Sequence, residues 1–315
     1  MAIPTRTQTL NTFVSGTAEV RRKDLVDNFF GSAPVWAMLK KRKAVPLRGG
    51  EIIKVSHIYA GMPAGSYGRG DEFGTDVTEF ATTLVFNWKF CRAEVNLNVI
   101  DVELNDSPEQ VFDLVEAAME NGELSLIDEM SDQLYGDGTG NSNKDIDGLA
   151  IAVSRTGTYG GLARGTDSQG SSIRAAVEDT TGGTLALATL NGHFGTCTVG
   201  RKKPDLLTTT QTLWNRVWER SQPSEQNKPS AMRDIGFEAV RFNGADVTVD
   251  SHVPSGFIYL LNTEFFQLFT HRKWDLRFRG FLEPAQQQMQ LGQLILWANL
   301  VCRGPRFQGV LSGLS

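Results

Sequence analysis

The sequence predicts an α+β fold, on three observations: an alternating run from Val77 toward Leu104, a single capped helix over residues 107–136, and short strands mixed with helices after it. With 315 residues, of which 40% are hydrophobic and 21% charged, the chain can bury a sizeable core as one large domain or two interleaved ones.

Taken in order, residues 1–48 carry nine Lys or Arg against three Asp or Glu, so a basic N-terminal segment precedes an acidic body. Two helical patterns lie in it, Arg21 to Phe30 and Pro34 to Lys43, joined by Gly31 and Ser32. Both are too small for a core and must pack on something else. Pro34 suits a first helical turn, where its missing N–H costs nothing, and Lys40, Lys41, Arg42 and Lys43 suit the negative end. Arg48, Gly49 and Gly50 then open a strand with Ile53, Val55, His57 and Tyr59 on one face. Val77 through Phe86 returns, and the polar stretch Gly61 to Gly74 between them predicts a long hairpin with an exposed tip. Alternation continues through Trp88, Phe90, Val95, Leu97 and Val99, far past the usual strand length of about 5–6 residues. The run is therefore expected to bend on leaving the hairpin and to enter a separate sheet.

Ser107-Pro108-Glu109-Gln110 is a capping box with Pro at the first helical position, and Gly136 is the matching stop. The apolar stripe between them includes Val111, Leu114, Met119, Leu126, Ile127, Met130 and Leu134. A helix this long spans roughly 42 Å and acts as a spine for other elements, with Gly122 a candidate kink. Gly136 to Asn143 and Thr156 to Ser171 read as loops. Helices follow at Leu185 to Phe194 and Thr210 to Arg220, and strands at Asp205 to Thr209, Val247 to Val253 and Gly256 to Leu261. Asn262 is expected to cap a short helix containing Phe265, Leu268 and Phe269, before a final return to strand over Gln293 to Val310.

Several functions are disfavoured. A net charge of -5 has the wrong sign for a dedicated nucleic-acid binder. Cys91, Cys197 and Cys302 are too far apart for a disulfide framework or a zinc site and read as core thiols. No signal peptide stands out, and the best apolar run, Leu294 to Val301, is far shorter than a membrane helix, so a soluble protein is expected. Gly136-Asp137-Gly138-Thr139-Gly140 follows a helix instead of opening one, and it lacks the Glu of a calcium loop. His57, His193, His252 and His271 are scattered, and no nucleophile-elbow motif occurs; a dispersed-triad hydrolase is the only enzymatic rival. The expectation is a protein that is not an enzyme and takes no cofactor or metal. Arg69-Gly70-Asp71 spells an adhesion tripeptide, but the better reading is electrostatic: Arg69, Asp71, Glu72 and Asp76 suit pairing with a neighbouring subunit. Trp214 and Trp218, four apart on one helix, are expected in the core.

The order of elements resembles the Hong Kong 97-type fold of tailed-bacteriophage major capsid proteins. Local wording is similar too, in Asp132-Gln133-Leu134-Tyr135-Gly136-Asp137-Gly138-Thr139, Asp147-Gly148-Leu149, Thr158-Tyr159-Gly160-Gly161-Leu162, Lys203-Pro204-Asp205-Leu206-Leu207-Thr208-Thr209, Gly236-Phe237-Glu238 and Phe257-Ile258-Tyr259-Leu260-Leu261-Asn262. The resemblance implies an N-arm over 1–47, an extended β-hairpin loop over 48–88 lying across an adjacent subunit, and a peripheral domain over 89–144 with spine helix 107–136. It further implies an axial domain over 145–260 and a return to both sheets over 261–315. The implied function is a subunit that self-assembles, as hexamers and pentamers, into an icosahedral head around double-stranded DNA; an encapsulin-type shell enclosing a cargo enzyme is the alternative. Implied partners are portal, scaffolding and decoration proteins, with packaged DNA nearby and no membrane. The basic residues Arg21, Arg22, Lys23, Lys40, Lys41, Arg42 and Lys43 would face the interior, scaffold or DNA. The implied location is the virion, assembled in the bacterial cytoplasm. Some relatives crosslink a hairpin Lys to a neighbour's Asn; Lys54 has no identifiable partner, so that chemistry is not carried over.

Overall fold

The computed structural model describes residues 33–72, 74–99, 108–221, 240–284 and 288–315. The first described helix is α1 (Pro34–Lys43), followed by β1 (Ala44–Leu47), the hairpin strands β2 (Ile52–Ile58) and β3 (Ala81–Asn87), β4 (Lys89–Asn98) and the long helix α2 (Pro108–Tyr135). Next come α3 (Leu149–Ala152), β5 (Thr158–Tyr159), β6 (Leu162–Ala163), α4 (Ser168–Ser172), β7 (Val177–Asp179), α5 (Leu187–Cys197), β8 (Leu206–Thr209) and α6 (Gln211–Ser221). The last part holds β9 (Val240–Phe242), β10 (Ala245–Val249), β11 (Ile258–Leu261), β12 (Phe266–His271), β13 (Arg277–Phe278), β14 (Met289–Cys302) and β15 (Gly309–Leu311).

α1 has the bounds its sequence pattern predicts. Pro34 through Leu39 are buried, the helix packs on β12 and α2, and all four basic residues sit in its last turn. The partner that so short a helix requires is thus the body of the same chain. The upstream pattern Arg21 to Phe30 lies outside the described residues.

β14 organises a five-stranded sheet. Leu294 and Ile295 pair with both β4 and β13, and Ala298 pairs with both Lys89 and Thr270, so β4 takes one edge of β14 while β12 and β13 take the other. β1 adds in parallel beyond β12, a pairing with no sequence signal. Among the described residues, β3 pairs with β2 in a separate two-stranded sheet. The expected bend between hairpin and body therefore falls at Trp88, whose indole Nε1 donates to Gly50 O at 2.8 Å.

α2 spans 28 residues and crosses the five-stranded sheet, burying Met119, Leu126, Ile127, Met130 and Leu134. The helix runs through Gly122, the candidate kink, as one element. A Cβ at Gly122 would lie 2.7 Å from Val95 Cγ2 and 3.4 Å from Leu294 Cδ1. Glycine there lets the helix settle on the sheet. Gly122→Ala is expected to overpack this seam and cost about 1–3 kcal/mol, read as a lower thermal midpoint.

The second sheet has six strands in the order β7, β15, β11, β8, β10, β9, so residues far apart in sequence meet in it. β8 and β11 are buried along their whole length, as strands covered on both faces must be. Leu206, Tyr259 and Leu261 join the main core; Leu207, Ile258 and Leu260 join a smaller core with Leu190, Phe194, Leu213 and Val217 of α5 and α6. Two expectations are corrected here. Trp218 is 41% exposed, because α6 buries Leu213 and Val217 instead. Asn262 does cap a turn, its side chain accepting from Glu264 N at 3.1 Å, but only Thr263–Phe265 is helical. Leu268 and Phe269 belong to β12, where cross-strand pairing with β14 outweighs the local helical pattern.

Candidate inter-subunit surfaces

The hairpin is built asymmetrically. Ile53, Val55, Leu84 and Phe86 point inward and are buried, whereas Ile58, Met62, Tyr67, Val77 and Phe80 are exposed, Val77 at 96%. The inward face stands on a foot that sequence reasoning took for loop. In the stretch Thr156 to Ser171, β5 and β6 pair as a small hairpin whose Tyr159 is 1% exposed. Gly160, at φ +56°, donates no side chain, and a Cβ there would lie 2.9 Å from Leu84 Cβ. The space admits β3 instead, with Val85 N donating to Gly160 O at 2.9 Å and Phe86 meeting the Tyr159 ring edge-on at 5.1 Å.

Two further contacts hold the foot. Tyr159 Oη accepts from Cys302 N at 2.7 Å, tying it to β14. Arg164 donates from Nε to Ile173 O and from its Nη atoms to Thr156, Ile151 and Ala152 carbonyls, with its guanidinium 4.9 Å from the Tyr159 ring centre. An isolated Arg in a Gly-rich stretch carries no local signal for this role. His57 meets Ser172 Oγ at 2.9 Å from the hairpin side.

Of the residues expected to make contacts, Arg69, Asp71, Glu72 and Asp76 are all exposed in the segment joining β2 to β3. Asp71 accepts from Gly68 N and its own N–H donates to Gly68 O, which closes a tight turn there. In α1, Lys41 and Arg42 are exposed, and Lys40 forms an ion pair with Asp275 at 3.2 Å. Arg21, Arg22 and Lys23 lie outside the described residues.

The end of α2 is locked to both sheets. Asp137 Oδ1 accepts from Thr139 N at 3.0 Å and from Thr139 Oγ1 at 2.7 Å, and these bonds hold its carboxyl below the usual range. Asn141, Ser142 and Asn143 all have positive φ, so the following turn is left-handed. Lys89 Nζ donates to Asn143 O at 2.8 Å; Asn299 donates to Asp147 Oδ2 at 2.8 Å and Asn87 O at 2.9 Å and accepts from Asp147 N at 3.0 Å. Tyr135 Oη donates to Asp250 Oδ2 at 3.0 Å, and His252 Nδ1 lies 2.6 Å from Asp132 Oδ1, so α2 is also clamped to the turn after β10.

Burial raises the Asp250 pKa, against the lowering effect of the bonds from His252 N and Tyr135. The folded chain then holds this proton more tightly than the unfolded chain. Its contribution to stability is greatest below the ordinary carboxylate pKa of about 3.9 and is lost as pH rises toward the raised value. Asp250→Asn keeps the shape and removes the buried charge; Asp128, Asp132 and His252 stay in both proteins. The thermal midpoint of the variant relative to the parent is expected to climb from pH 4 to 7, and a flat difference would contradict this.

Burial pushes the Cys91, Cys197 and Cys302 thiols up to about 12. His193 bonds Asp179 at 2.8 Å, and His271 packs between the Trp88 and Trp297 rings. Among the described residues no group of three His, Cys, Asp or Glu side chains is placed to hold a metal, and no helix is long and apolar enough to cross a membrane. An open groove of about 860 Å³ between β4 and α2 is lined by Phe90, Glu94, Asn121, Ser125, Glu129 and Gln133.

A projecting hairpin, a spine helix across one sheet, and a second sheet with buried strands define the Hong Kong 97-type fold. Among solved structures, the chain is similar to the cyanophage A-1(L) capsid subunit, with TM-score 0.71, 14% identity, and 90% of this chain and 93% of that one covered. It is also similar to the capsid of a native GTA particle, with TM-score 0.59, 10% identity and coverage of 88% and 90%. An encapsulin complex from Synechococcus elongatus gives TM-score 0.58, 12% identity and coverage of 90% and 88%. No family model and no curated protein matches the sequence. At these identities the likeness is one of fold.

Proposed function

We propose that the chain is the major capsid protein of a tailed bacteriophage, a structural subunit that assembles with its own copies into an icosahedral head around double-stranded DNA. The observation that carries this reading is the shared fold with the cyanophage capsid subunit over 90% of the chain at TM-score 0.71. The reading is supported by a hairpin whose tip residues Arg69, Asp71, Glu72 and Asp76 are all exposed. In this reading residues 1–47 form the N-arm, 48–88 the extended loop, 89–144 the peripheral domain, 145–260 the axial domain, and 261–315 return to both sheets. The basic residues of the arm face the interior, where scaffold and DNA carry the complementary charge. Portal, scaffolding and decoration proteins are the expected partners, the chain itself is not an enzyme, and its place is the virion, after assembly in the host cytoplasm.

The encapsulin neighbour favours a second reading, a shell around a cargo enzyme. Sedimentation of the purified chain, alone and with its companion scaffold, tests both. Particles of megadalton mass are expected, and a 34.6 kDa monomer under every condition would refute a shell role. DNA or protein inside the particles then separates virus head from nanocompartment.

A further inference from the structure

We infer that the outer edge of β4 is extended by one more strand, formed by residues 5–14 of the same chain and laid into the groove between β4 and α2. This contact lies within one chain and does not depend on the shell reading.

β14 covers one edge of β4 in unbroken register, from Lys89 opposite Ala298 to Asn98 opposite Met289, and the 10 residues of β4 include neither Pro nor a bulge. Among the described residues, no strand pairs with its other edge. Alternate N–H and C=O groups along that edge point away from β14, and a long, regular edge of this kind is a template for another strand. The other edge strands of the two large sheets are short: β1 has 4 residues including Pro46, β13 has 2, and β7 and β9 have 3 each. β4 is the exception. The groove of about 860 Å³ runs beside this edge, since every residue from Phe90 to Asn96 lines it. That stretch is about 23 Å long. Across the groove stands a flank of α2 on which Ala118, Gly122 and Ser125 leave room for incoming side chains. The turn bearing Asn141 and Lys144 also lines it and is tied to the start of β4, with Lys89 Nζ donating to Asn143 O at 2.8 Å.

Position, pattern and charge select the occupant. Ala33 lines a second hollow against α2 with Leu124, Ser125, Ile127 and Asp128, and Ser125 lines both hollows. The chain before Ala33 is therefore attached about one helix width, roughly 10 Å, from the groove. Within residues 1–32, Arg21 to Phe30 has a helical pattern, whereas Thr5 to Val14 is rich in strand formers, Thr5, Thr7, Thr9, Thr12, Phe13 and Val14, with no Gly, Pro or acidic residue. Even with residues 21–30 helical, the stretch from Ser15 to Ser32 spans up to about 40 Å, enough to cross α2. Arg6 is the one charged residue in 5–14, and the groove carries Glu94, Glu129 and Asp145 against Arg92 and Lys144, a net charge of -1. A strand laid here pairs its own N–H and C=O groups with the outward groups of β4, as in other cases of strand addition.

Hydrogen exchange of the full-length, unassembled chain tests the contact against a variant lacking residues 1–14. In the parent, the amides of residues 5–14 and every amide from Phe90 to Asn96 are expected to exchange slowly. In the shortened variant, alternate amides from Phe90 to Asn96 are expected to exchange about tenfold faster or more while those bonded to β14 are unchanged, and added peptide of residues 1–14 is expected to restore protection. Thr9→Pro and Leu10→Pro in the full-length chain give a second readout, because neighbouring N–H groups of a strand point to opposite sides. One of the two is expected to speed exchange at β4 as the deletion does, and the other to leave it near the parental rate. Fast exchange in residues 5–14 of the parent, the same β4 profile with and without residues 1–14, or equal effects of the two Pro variants would overturn the inference. Protection that fades on dilution would assign the edge to a second copy's segment and overturn it as well. None of these outcomes bears on the shell reading, which sedimentation tests separately.

Discussion

Gly148→Ala is expected to remove the folded protein almost entirely, with a loss of about 4 kcal/mol or more. A Cβ at this position would lie 2.5 Å from Gln133 O and 2.6 Å from Leu134 O, and closer still to Gly136 O. All three are backbone carbonyls at the end of α2 and just beyond it, where no rotamer change gives relief. The residue sits at φ -84° and ψ -168°, which alanine adopts freely, so the effect is steric and not conformational. Gly192→Ala in α5 is the contrast: nothing lies within 4 Å of its Cβ position, and a gain of about 0.5–1 kcal/mol is expected from the stiffer unfolded chain. Denaturant midpoints and soluble yield of the two variants read this difference. A folded Gly148→Ala protein with parental stability would show that the spine helix and the following segment are not packed as described.

Tyr159→Ala is expected to cost about 3–5 kcal/mol and to detach the hairpin from its foot. The ring is buried, edge-on to Phe86 at 5.1 Å and beneath the Arg164 guanidinium, and its hydroxyl takes the Cys302 N–H at 2.7 Å. Truncation opens a cavity at the junction of three segments far apart in sequence. Tyr159→Phe keeps the ring and leaves only the buried Cys302 N–H without its partner, for which about 1–3 kcal/mol is expected. Protease cleavage within β2 and β3 is expected to rise in the Ala variant and to stay near parental rates in the Phe variant. Equal stabilities for both would mean that the foot does not hold the hairpin.

What was legible in the sequence was what local chemistry encodes. The capping box at Ser107 to Gln110 and the stop at Gly136 place a helix to within a residue at each end, because capping acts within one turn. The alternating run through Val77 to Val99 shows two strands and a bend between them, because strand period does not depend on the partner. β1 was not legible: Val45-Pro46-Leu47 pairs with Phe269 to His271, more than two hundred residues away. Phe266 to His271 was misread for the same reason, since its partners on β14 decide its conformation.

The candidate surfaces divide along the same line. The charged tip around Arg69, Asp71, Glu72 and Asp76 is visible as a polar, glycine-rich insert between two alternating strands. The foot at Tyr159 and Arg164 is not, because its residues are named only by what packs on them. Thr158 to Leu162 entered through its wording alone; the physical reason for that wording is the close approach of β3 to Gly160. The contact of the Phe90, Trp297 and Trp274 rings was equally hidden, because they come from β4, β14 and the turn after β12, which only the sheet brings together.

Electron microscopy of the full-length chain, expressed with and without a companion scaffold and stained for imaging, tests the central claim most directly. Closed or partial polyhedral shells built from hexameric and pentameric clusters are the expected result. A field of uniform single subunits under all of these conditions would contradict it.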